Sequence, residues 1–367
     1  MDVVVKIGTS SLTDADGTIR RDAIAKLCDE VAVARADGHR VVIVTSGAIG
    51  AGLPALGMGG DDRPDDAETL QAVSAVGQSR LMAVYDESLS RHGIVCGQVL
   101  LAPLDFVDRR QYLQARGTLT RLLELGVVPV VNENDAVADD EIRFGDNDRL
   151  AALVAQLLGA DLLVLLTDTA GLLSADPRLD PDASLIEEIV EFDKQLSERA
   201  GGPGTPGGSG GMASKIAAAH IASWSGIRTI IAAAHRSSVL VDAIDGAGGV
   251  GTVVHAQNRQ LSSRKLWIAF AVGSQGRIAV DAGARRALER GGASLLAAGV
   301  TGVDGSFDSG DAVEIADPDG VVFAKGIVRC SSTGLVAVAG RSRDELGPDQ
   351  DPHVVHVDDL VIVPTSR

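Results

Sequence analysis

Short apolar segments alternate with longer helix-like ones over the first 256 residues, and this alternation restricts the fold more than any other feature of the chain. Several short segments are apolar almost throughout, as strands are when both faces of their sheet are covered. The sequence therefore predicts a three-layer α/β/α sandwich with a mainly parallel central sheet. The predicted strands are Val3–Ile7, Arg40–Thr45, Ile94–Leu101, Val127–Val131, Leu162–Leu166 and Arg228–Ala232, and the predicted helices include Arg21–Ala36, Thr69–Arg91, Tyr112–Leu125 and Asn147–Leu158.

The rest of the chain, after about residue 274, has shorter runs separated by turn signals such as Asp304-Gly305 and Ser309-Gly310. Such runs indicate a small β-rich domain, here with one helix near Ala284–Gly291. We therefore expect an α/β domain over residues 1–256, a linker over 257–273 and a β-rich domain over 274–367. The predicted strands of the second domain include Arg277–Val280, Ala312–Ala316, Val321–Lys325 and Leu335–Ala339.

The chain is acidic, with a formal net charge of −17. Phosphate polyanions repel such a protein, so the charge argues against a nucleic-acid or anionic-membrane partner. The cysteines Cys28, Cys96 and Cys330 are widely separated and form neither a disulfide framework nor a metal-ligand pattern. Met1 leads directly into a strand-like run, and no apolar stretch approaches the ~18 residues that span a bilayer. These features predict a cytoplasmic protein without a metal-ligand cluster.

A glycine-rich run, Gly208-Ser209-Gly210-Gly211-Met212-Ala213-Ser214-Lys215, precedes an alanine-rich helical pattern from Ile216 to Ser223. Exposed backbone amides, a helix N-terminus and the Lys215 ammonium together suit a phosphate group. The spacing is not that of a Walker A loop. The run is also typical of a flexible linker, because residues 201–211 are rich in glycine and proline.

Polar or small residues follow the predicted strands, where open α/β sheets bind their ligands. Lys6 lies inside the first strand next to Gly8, and a buried ammonium is costly without an anionic partner. Lys6 can therefore neutralise a phosphate, or it can be a solvated lysine on an edge strand. Small residues from Ser46 to Gly52 let a ligand approach the backbone after the second strand, although a tight turn would also use them.

Three further loops carry more polar groups than turns require. Asn132-Glu133-Asn134-Asp135 follows the fourth strand, where one Asn or Asp would satisfy a turn. In Phe144-Gly145-Asp146-Asn147-Asp148, Asp146 or Asn147 can cap the next helix, which leaves Asp148 unexplained. Thr167 and Asp168 follow the fifth predicted strand.

Together these loops supply lysines, amides and carboxylates, but no histidine or cysteine. Phosphoryl transfer to an alcohol usually requires a base, whereas a carboxylate with a pKa near ~4.3 is already ionised at pH 7. A kinase that phosphorylates a carboxylate requires mainly positioning and positive charge. The side chains match that requirement.

Several motifs carry a family resemblance. In the first domain they are Val4-Val5-Lys6-Ile7-Gly8-Thr9-Ser10, Thr45-Ser46-Gly47-Ala48-Ile49-Gly50-Ala51-Gly52, Asn132-Glu133-Asn134-Asp135-Ala136-Val137, Phe144-Gly145-Asp146-Asn147-Asp148 and Gly210-Gly211-Met212. In the tail they are Asp281-Ala282-Gly283-Ala284, Ser294-Leu295-Leu296 and Gly310-Asp311. The first set resembles the glutamate 5-kinases of the amino acid kinase superfamily, and the second resembles the PUA domain that many bacterial members carry. One departure is Ser209, where the family usually has threonine.

The resemblance implies that MgATP phosphorylates the γ-carboxylate of L-glutamate, the first step of proline biosynthesis. It also implies a homo-oligomer, a dimer or tetramer, with feedback inhibition by proline. Lys6 and Lys215 would stabilise the transferring phosphoryl group, and Asp148 would hold both lysines. Ser46, Asp135 and Asn147 would bind glutamate, with Asp135 as the carboxylate partner of its free α-ammonium. The residues implied for ATP are Lys6, Thr167, Asp168, Ser209, Gly210, Gly211, Met212, Ala213, Ser214 and Lys215.

Two alternatives remain at this stage. One is another kinase of the same superfamily, acting on aspartate, acetylglutamate, carbamate or uridylate, which the Asn132–Asp135 run and the tail disfavour. The other is an RNA-binding protein, suggested by the PUA-like tail alone. Residues 274–367 contain nine Lys or Arg against fourteen Asp or Glu, which is a poor electrostatic surface for RNA.

Overall fold

The computed structural model describes residues 1–14, 16–58, 63–102, 105–106, 108–137, 147–175, 180, 182–190, 211–257, 263–347 and 351–363. The chain divides into two compact units, Met1–Gln260 and Leu261–Arg367. Each unit has its own sheet and its own buried apolar core. No helix within the described ranges is long and apolar enough to cross a bilayer.

The first unit is built on one eight-stranded sheet. Its strands are β1 (Asp2–Ile7), β2 (Arg40–Val44), β3 (Cys96–Leu101), β4 (Val128–Glu133), β5 (Leu162–Thr167), β6 (Glu188–Ile189), β7 (Arg228–Ala233) and β8 (Gly251–Val254). They follow the order β3-β4-β2-β1-β5-β7-β8-β6. Paired strands are parallel except β7 and β8, which are antiparallel. The predicted fold class of the first domain is confirmed.

Helices of the first unit form two groups of mutually contacting elements. The helices are α1 (Thr9–Leu12), α2 (Arg21–Ala36), α3 (Ala48–Gly52), α4 (Ala67–Ser90), α5 (Arg109–Glu124), α6 (Asn147–Leu158), α7 (Met212–Trp224) and α8 (Val239–Asp245). One group contains α2, α4 and α8, and the other contains α5, α6 and α7. Short 3₁₀ turns occur at Pro54–Leu56 and Asp135–Val137.

Strand alternation places Lys6 away from the apolar core that the other side chains of β1 join. Val3, Val5 and Ile7 of β1 share that core with side chains of α2, α4 and α8. Successive side chains of a strand point to opposite faces, so Lys6 faces the side of the sheet where α6 and α7 begin. β1 lies between β2 and β5 and is parallel to both, so the carboxyl ends of the three strands lie side by side near Lys6.

Helix boundaries follow side-chain caps that the periodicity alone did not locate. Asp66 accepts a hydrogen bond from the Thr69 amide at 2.8 Å and starts α4 at Ala67. Asp108 does the same for the Gln111 amide at 2.8 Å and starts α5 at Arg109. Both helices therefore begin earlier than predicted, because an N-cap aspartate satisfies a free amide of the first turn.

The second unit contains a six-stranded sheet in the order β10-β14-β13-β12-β9-β11. Its strands are β9 (Gly276–Val280), β10 (Leu295–Leu296), β11 (Val300–Gly305), β12 (Ala312–Ala316), β13 (Val322–Val328) and β14 (His353–Ile362). Its helices are α9 (Ser263–Leu266), continued by a π-helical turn at Trp267–Ala271, α10 (Ala282–Glu289) and α11 (Ser332–Val338), with 3₁₀ turns at Ala297–Gly299 and Arg343–Glu345.

The strand predicted at Leu335–Ala339 is wrong, because these residues belong mainly to helix α11. Ser331 caps this helix by accepting a hydrogen bond from the Gly334 amide at 3.2 Å. Leu335 is buried in the core of the unit, whereas the adjacent Val336 is 63% exposed. The N-cap formed by Ser331 therefore stabilises a helix here despite the β-propensity of Val336 and Val338.

Part of the predicted linker 257–273 is helical and belongs to the second unit. The segment Ser263–Ala271 contacts β13 and β14. Ile268 is buried, and Arg264 forms an ion pair with Asp359 of β14.

Candidate active site

Two lysines from distant parts of the chain share one buried carboxylate. Lys6 Nζ lies 2.6 Å from Asp148 Oδ1, and Lys215 Nζ lies 2.9 Å from Asp148 Oδ2. The residues are 3%, 5% and 0% exposed for Lys6, Lys215 and Asp148, respectively. The three side chains carry one net positive charge, and a buried positive charge is stabilised when an anion binds beside it.

The positions of the three residues follow from the topology. Lys6 comes from the carboxyl end of β1, Asp148 from the first turn of α6 and Lys215 from the first turn of α7. The ammonium of Lys6 reaches the level of Gly8, where a side chain would have its Cβ 3.5 Å from Nζ. The family resemblance implied that Asp148 holds both lysines; the roles of the three residues in a reaction stay predictions.

Ser214 makes a further contact with the same carboxylate. Its Oγ lies 3.0 Å from Asp148 Oδ2 and 2.9 Å from the carbonyl oxygen of Gly211. A hydroxyl has one hydrogen to donate, so it can satisfy only one of these acceptors at a time. Ser214 therefore links the beginning of α7 to the carboxylate that holds both lysines.

The side-chain amides of Asn132 and Asn147 form a cluster beside the charged group, which consists of Lys6, Asp148 and Lys215. Asn147 Nδ2 lies 2.6 Å from the Thr45 carbonyl oxygen, 2.7 Å from Asn132 Oδ1 and 2.9 Å from Ser46 Oγ. Two hydrogens cannot fully serve three acceptors. Ser46 is the most distant partner and is half-buried, whereas Asn132 and Thr45 are buried. Its hydroxyl is therefore the group best placed to turn toward a ligand.

Asp135 lies in the 3₁₀ turn that follows β4 and is half-buried. Its Oδ2 accepts a hydrogen bond from Ser74 Oγ of α4 at 2.8 Å. Asp135 lies at the same edge of the sheet as the amide cluster, because Asn132 is the second-to-last residue of β4, the strand that precedes this turn.

Thr167 and Asp168 lie at the end of β5, next to the end of β1. Thr167 Oγ1 donates to Asp168 Oδ1 at 3.0 Å, and the Thr167 carbonyl accepts from the Ala234 amide at 2.7 Å. Thr167 is buried and Asp168 is exposed. Gly211 is the N-cap of α7 and provides no side-chain cap, so the amides at the start of this helix are suited to an anion.

The structure brings together most of the predicted site residues. Lys6, Asp148, Lys215, Ser214, Gly211, Met212 and Ala213 belong to the charged group and the start of α7, Ser46 and Asn147 to the amide cluster, and Asp135, Thr167 and Asp168 to adjacent strand ends. Ser209 and Gly210 lie outside the described residues, as does Phe144-Gly145-Asp146.

Sequence reasoning missed the part of α4 that contacts this site. Ser74 reaches Asp135, and Gln78 accepts a hydrogen bond from Asn132 Nδ2 at 2.7 Å. The available signal was the spacing of Ser74 and Gln78, four residues apart and on one face of a predicted helix. Asn132 was noticed as part of a polar run but was not assigned to the site.

Comparisons with known proteins agree with this architecture. The model of the amino acid kinase family matches residues 1–233, and the PUA domain model matches residues 276–346. A glutamate 5-kinase of Frankia casuarinae (strain DSM 45818 / CECT 9043 / HFP020203 / CcI3) is 46% identical over 370 residues, which cover 100% of this chain and 97% of that protein. A glutamate 5-kinase of Geobacter sp. (strain M21) is 44% identical over 365 residues, which cover 98% of this chain and 97% of that protein.

A solved structure supports the fold of the first unit. The carbamate kinase from Giardia lamblia bound to AMP-PNP matches with a TM-score of 0.50 and 19% sequence identity, over 70% of this chain and 98% of that chain. At this identity the likeness concerns the fold alone. The near-complete coverage of much closer relatives decides the family: the chain belongs to the amino acid kinase family, among the glutamate 5-kinases, and carries a PUA domain.

Proposed function

We propose that this site transfers the γ-phosphoryl group of ATP to the γ-carboxylate of L-glutamate, with γ-glutamyl phosphate and ADP as products. The observation that supports this most directly is the buried Lys6–Asp148–Lys215 group, located beside an amide cluster at one edge of the sheet. A carboxylate acceptor is already ionised at neutral pH, so the chemistry requires charge stabilisation and alignment rather than a general base.

In this proposal Lys6 and Lys215 stabilise the charge on the phosphoryl group during transfer. Asp148 keeps the two ammonium groups apart and oriented, because each of its oxygens holds one of them. Ion pairs that are formed before the substrate binds need no reorganisation during the reaction. Asp148 is thus a positioning residue, whereas the lysines act on the reacting group.

The acceptor side consists of Ser46, Asn147 and Asp135. Ser46 supplies a hydroxyl that can donate to a carboxylate of glutamate. The Nδ2 hydrogens of Asn147 are used by protein acceptors, which leaves its Oδ1 to accept from the α-ammonium. Asp135 supplies a negative charge for its α-ammonium, and an N-acetylated acceptor would leave that charge without a partner. This arrangement favours free glutamate over acetylglutamate.

The nucleotide side consists of Thr167, Asp168 and the segment from Ser209 to Lys215. The amides at the start of α7 suit the phosphates of ATP, and the end of β5 lies beside β1. Ser209 and Gly210 are assigned to this side by family resemblance.

We propose that Mg²⁺ enters with ATP. Mg²⁺ usually keeps several waters and binds phosphates together with one or two carboxylates. Within the described ranges no three His, Cys, Asp or Glu side chains are grouped as a metal site. Asp168, exposed at the end of β5, is a single carboxylate that fits an ion held mainly by ATP. When bound, the ion neutralises charge on the β- and γ-phosphates.

The proposal is tested by the acceptor dependence of ADP release. The acceptors are L-glutamate, L-aspartate, N-acetyl-L-glutamate, carbamate and UMP, and hydroxylamine traps an acyl phosphate as a hydroxamate. We expect ADP and hydroxamate to form together with L-glutamate. Faster turnover with another acceptor, or ADP release without hydroxamate, would assign the site to a different reaction. Inhibition by proline, a homo-oligomeric state and a lack of RNA binding stay predictions.

A further inference from the structure

Helix α4 contacts the acceptor side through a residue that has no role in the proposal so far. Gln78 is 7% exposed, and its Oε1 accepts a hydrogen bond from Asn132 Nδ2 at 2.7 Å. One turn earlier, Ser74 holds Asp135. Gly77, which lies between them in the sequence, is so close to α3 that a Cβ there would be 1.8 Å from the Ala48 carbonyl oxygen. This face of α4 therefore forms one wall of the acceptor side.

The orientation of each amide in the cluster follows from one backbone group. The amide N–H of Glu133 donates to Asn132 Oδ1 at 2.9 Å. A backbone N–H cannot act as an acceptor, so this contact identifies the Asn132 oxygen without ambiguity. Asn147 Nδ2 donates to the same oxygen at 2.7 Å. Asn132 therefore donates from its Nδ2 to Gln78, and Gln78 accepts through Oε1.

This series of hydrogen bonds, from Asn147 through Asn132 to Gln78, ends at Gln78 Nε2. The nitrogen is buried and has no hydrogen-bond partner among the described residues. A buried donor without a partner lowers stability, and in native proteins such groups are uncommon and call for an explanation.

We propose that Gln78 is a positioning residue for the glutamate acceptor, which rests on the function proposed above. Gln78 fixes Asn132, Asn132 fixes Asn147, and Asn147 in turn contacts Ser46. This series of hydrogen bonds holds the acceptor-binding groups in one arrangement before glutamate binds. Pre-arranged groups need no ordering at the moment of binding, which increases affinity. Gln78 itself acts through Asn132 and does not touch the reacting atoms.

The proposal distinguishes positioning from simple stabilisation. Gln78→Leu removes the unpartnered Nε2 and leaves Asn132 Nδ2 with an unsatisfied hydrogen, so one unsatisfied donor replaces another. The melting temperature is therefore expected to change little. The acceptor groups lose their fixed arrangement, and we expect KM for glutamate to rise roughly 10-fold. KM for ATP should stay within about 2-fold of the wild-type value, because the nucleotide side does not include this series of hydrogen bonds.

Gln156 provides a matched control. It is also 7% exposed, its Nε2 also lacks a partner among the described residues, and it lies on α6 of the same unit. Gln156→Leu should leave KM for glutamate unchanged. A double-mutant cycle with Asn132→Ala adds a second test: if Gln78 acts through Asn132, Gln78→Leu should change KM less than about 2-fold in that background.

The outcomes separate this inference from the function on which it rests. If the wild-type protein fails to release ADP with glutamate, both fall. If the wild-type protein uses glutamate and folded Gln78→Leu keeps its KM, the positioning role is excluded and the proposed function stands. An equal rise of both KM values, or a rise of the same size in Gln156→Leu, would likewise exclude it. A separate rise of KM for glutamate, abolished in the Asn132→Ala background, supports it.

Discussion

Replacing Lys215, one of the two lysines bound to Asp148, should impair catalysis without unfolding the protein. Lys215→Met keeps much of the side-chain volume and leaves Asp148 paired with Lys6 at 2.6 Å, so the fold should persist. Loss of a charge that acts on the transition state should reduce kcat on the order of 10²-fold or more. Steady-state kinetics, with the melting temperature as a check of folding, measures this. Near-normal kcat in folded Lys215→Met would exclude Lys215 from phosphoryl transfer.

Asp135 should affect only the acceptor. Asp135→Asn keeps an oxygen that can accept from Ser74 Oγ, which lies 2.8 Å from Oδ2, but loses the negative charge that we propose pairs with the α-ammonium of glutamate. We expect KM for glutamate to rise while KM for ATP changes much less. If KM for ATP rises instead, Asp135 belongs to the nucleotide or its metal ion.

The sequence identified residues of the site better than the contacts among them. Lys6 stood out because a lysine within a strand is unusual, and Lys215 because a glycine run and a helix N-terminus beside a lysine suit a phosphate. Nothing in the spacing showed that both use Asp148, because the three residues meet only after β1, α6 and α7 assemble. Gln78 was invisible for a related reason: its partner is on a strand 54 residues away in the sequence.

At the scale of elements, α3 and α4 pack closely against each other at Gly77. A Cβ at Gly77 would lie 1.8 Å from the Ala48 carbonyl oxygen and 2.5 Å from the Gly52 nitrogen. Gly77→Ala should therefore push α3 away and displace Ser46, which lies two residues before the start of α3. We expect a loss of roughly 3 kcal/mol or more in the free energy of unfolding, the range of severe core overpacking.

Gly117 is the matched control for that substitution. It lies in α5, is exposed, and a Cβ there would meet nothing within 4 Å. Gly117→Ala should be neutral or stabilising by about 0.5–1 kcal/mol, because alanine favours the helix. Chemical denaturation of both variants measures the difference. Equal stability of the two variants would show that α3 and α4 can separate without cost.

Helix α7 should make the stability of the protein depend on pH. Burial lowers the pKa of His220 to about 4, and its ring lies edge-on against Trp224 at 5.7 Å. The folded state thus favours the neutral ring, while the unfolded chain takes up a proton near its ordinary pKa of 6.5. The contribution is present in full above pH 6.5 and is lost as the pH falls toward 4. His220→Phe should flatten the pH dependence of the free energy of unfolding in that window. Identical slopes for the two proteins would contradict the assigned pKa.

For the whole molecule, the order of apolar runs predicted the α/β architecture because buried parallel strands leave a strong compositional signal. β1 and β5 are such strands, and both were found close to their observed bounds. β6 was missed because two residues carry no periodicity, and β8 because it has four residues and begins with glycine. Leu335–Ala339 was predicted as a strand because it contains the β-branched residues Val336 and Val338. Such residues occur in helices too, and only the Ser331 cap indicates the helix.

The last prediction concerns the second unit. All proposed phosphate-binding and acceptor-binding residues precede residue 216, and the first compact unit ends at Gln260. A chain truncated after Gln260 should keep glutamate-dependent turnover, with kcat within about threefold of the full chain, although assembly or regulation can change. The end point matters: Ser263–Ala271 packs against β13 and β14, so a chain that ends at Gly273 would expose Ile268, which is buried in the full chain. That longer truncation should aggregate more readily, because it leaves an apolar segment without its partners. Loss of turnover in a folded, monodisperse Met1–Gln260 protein would show that the second unit contributes to catalysis.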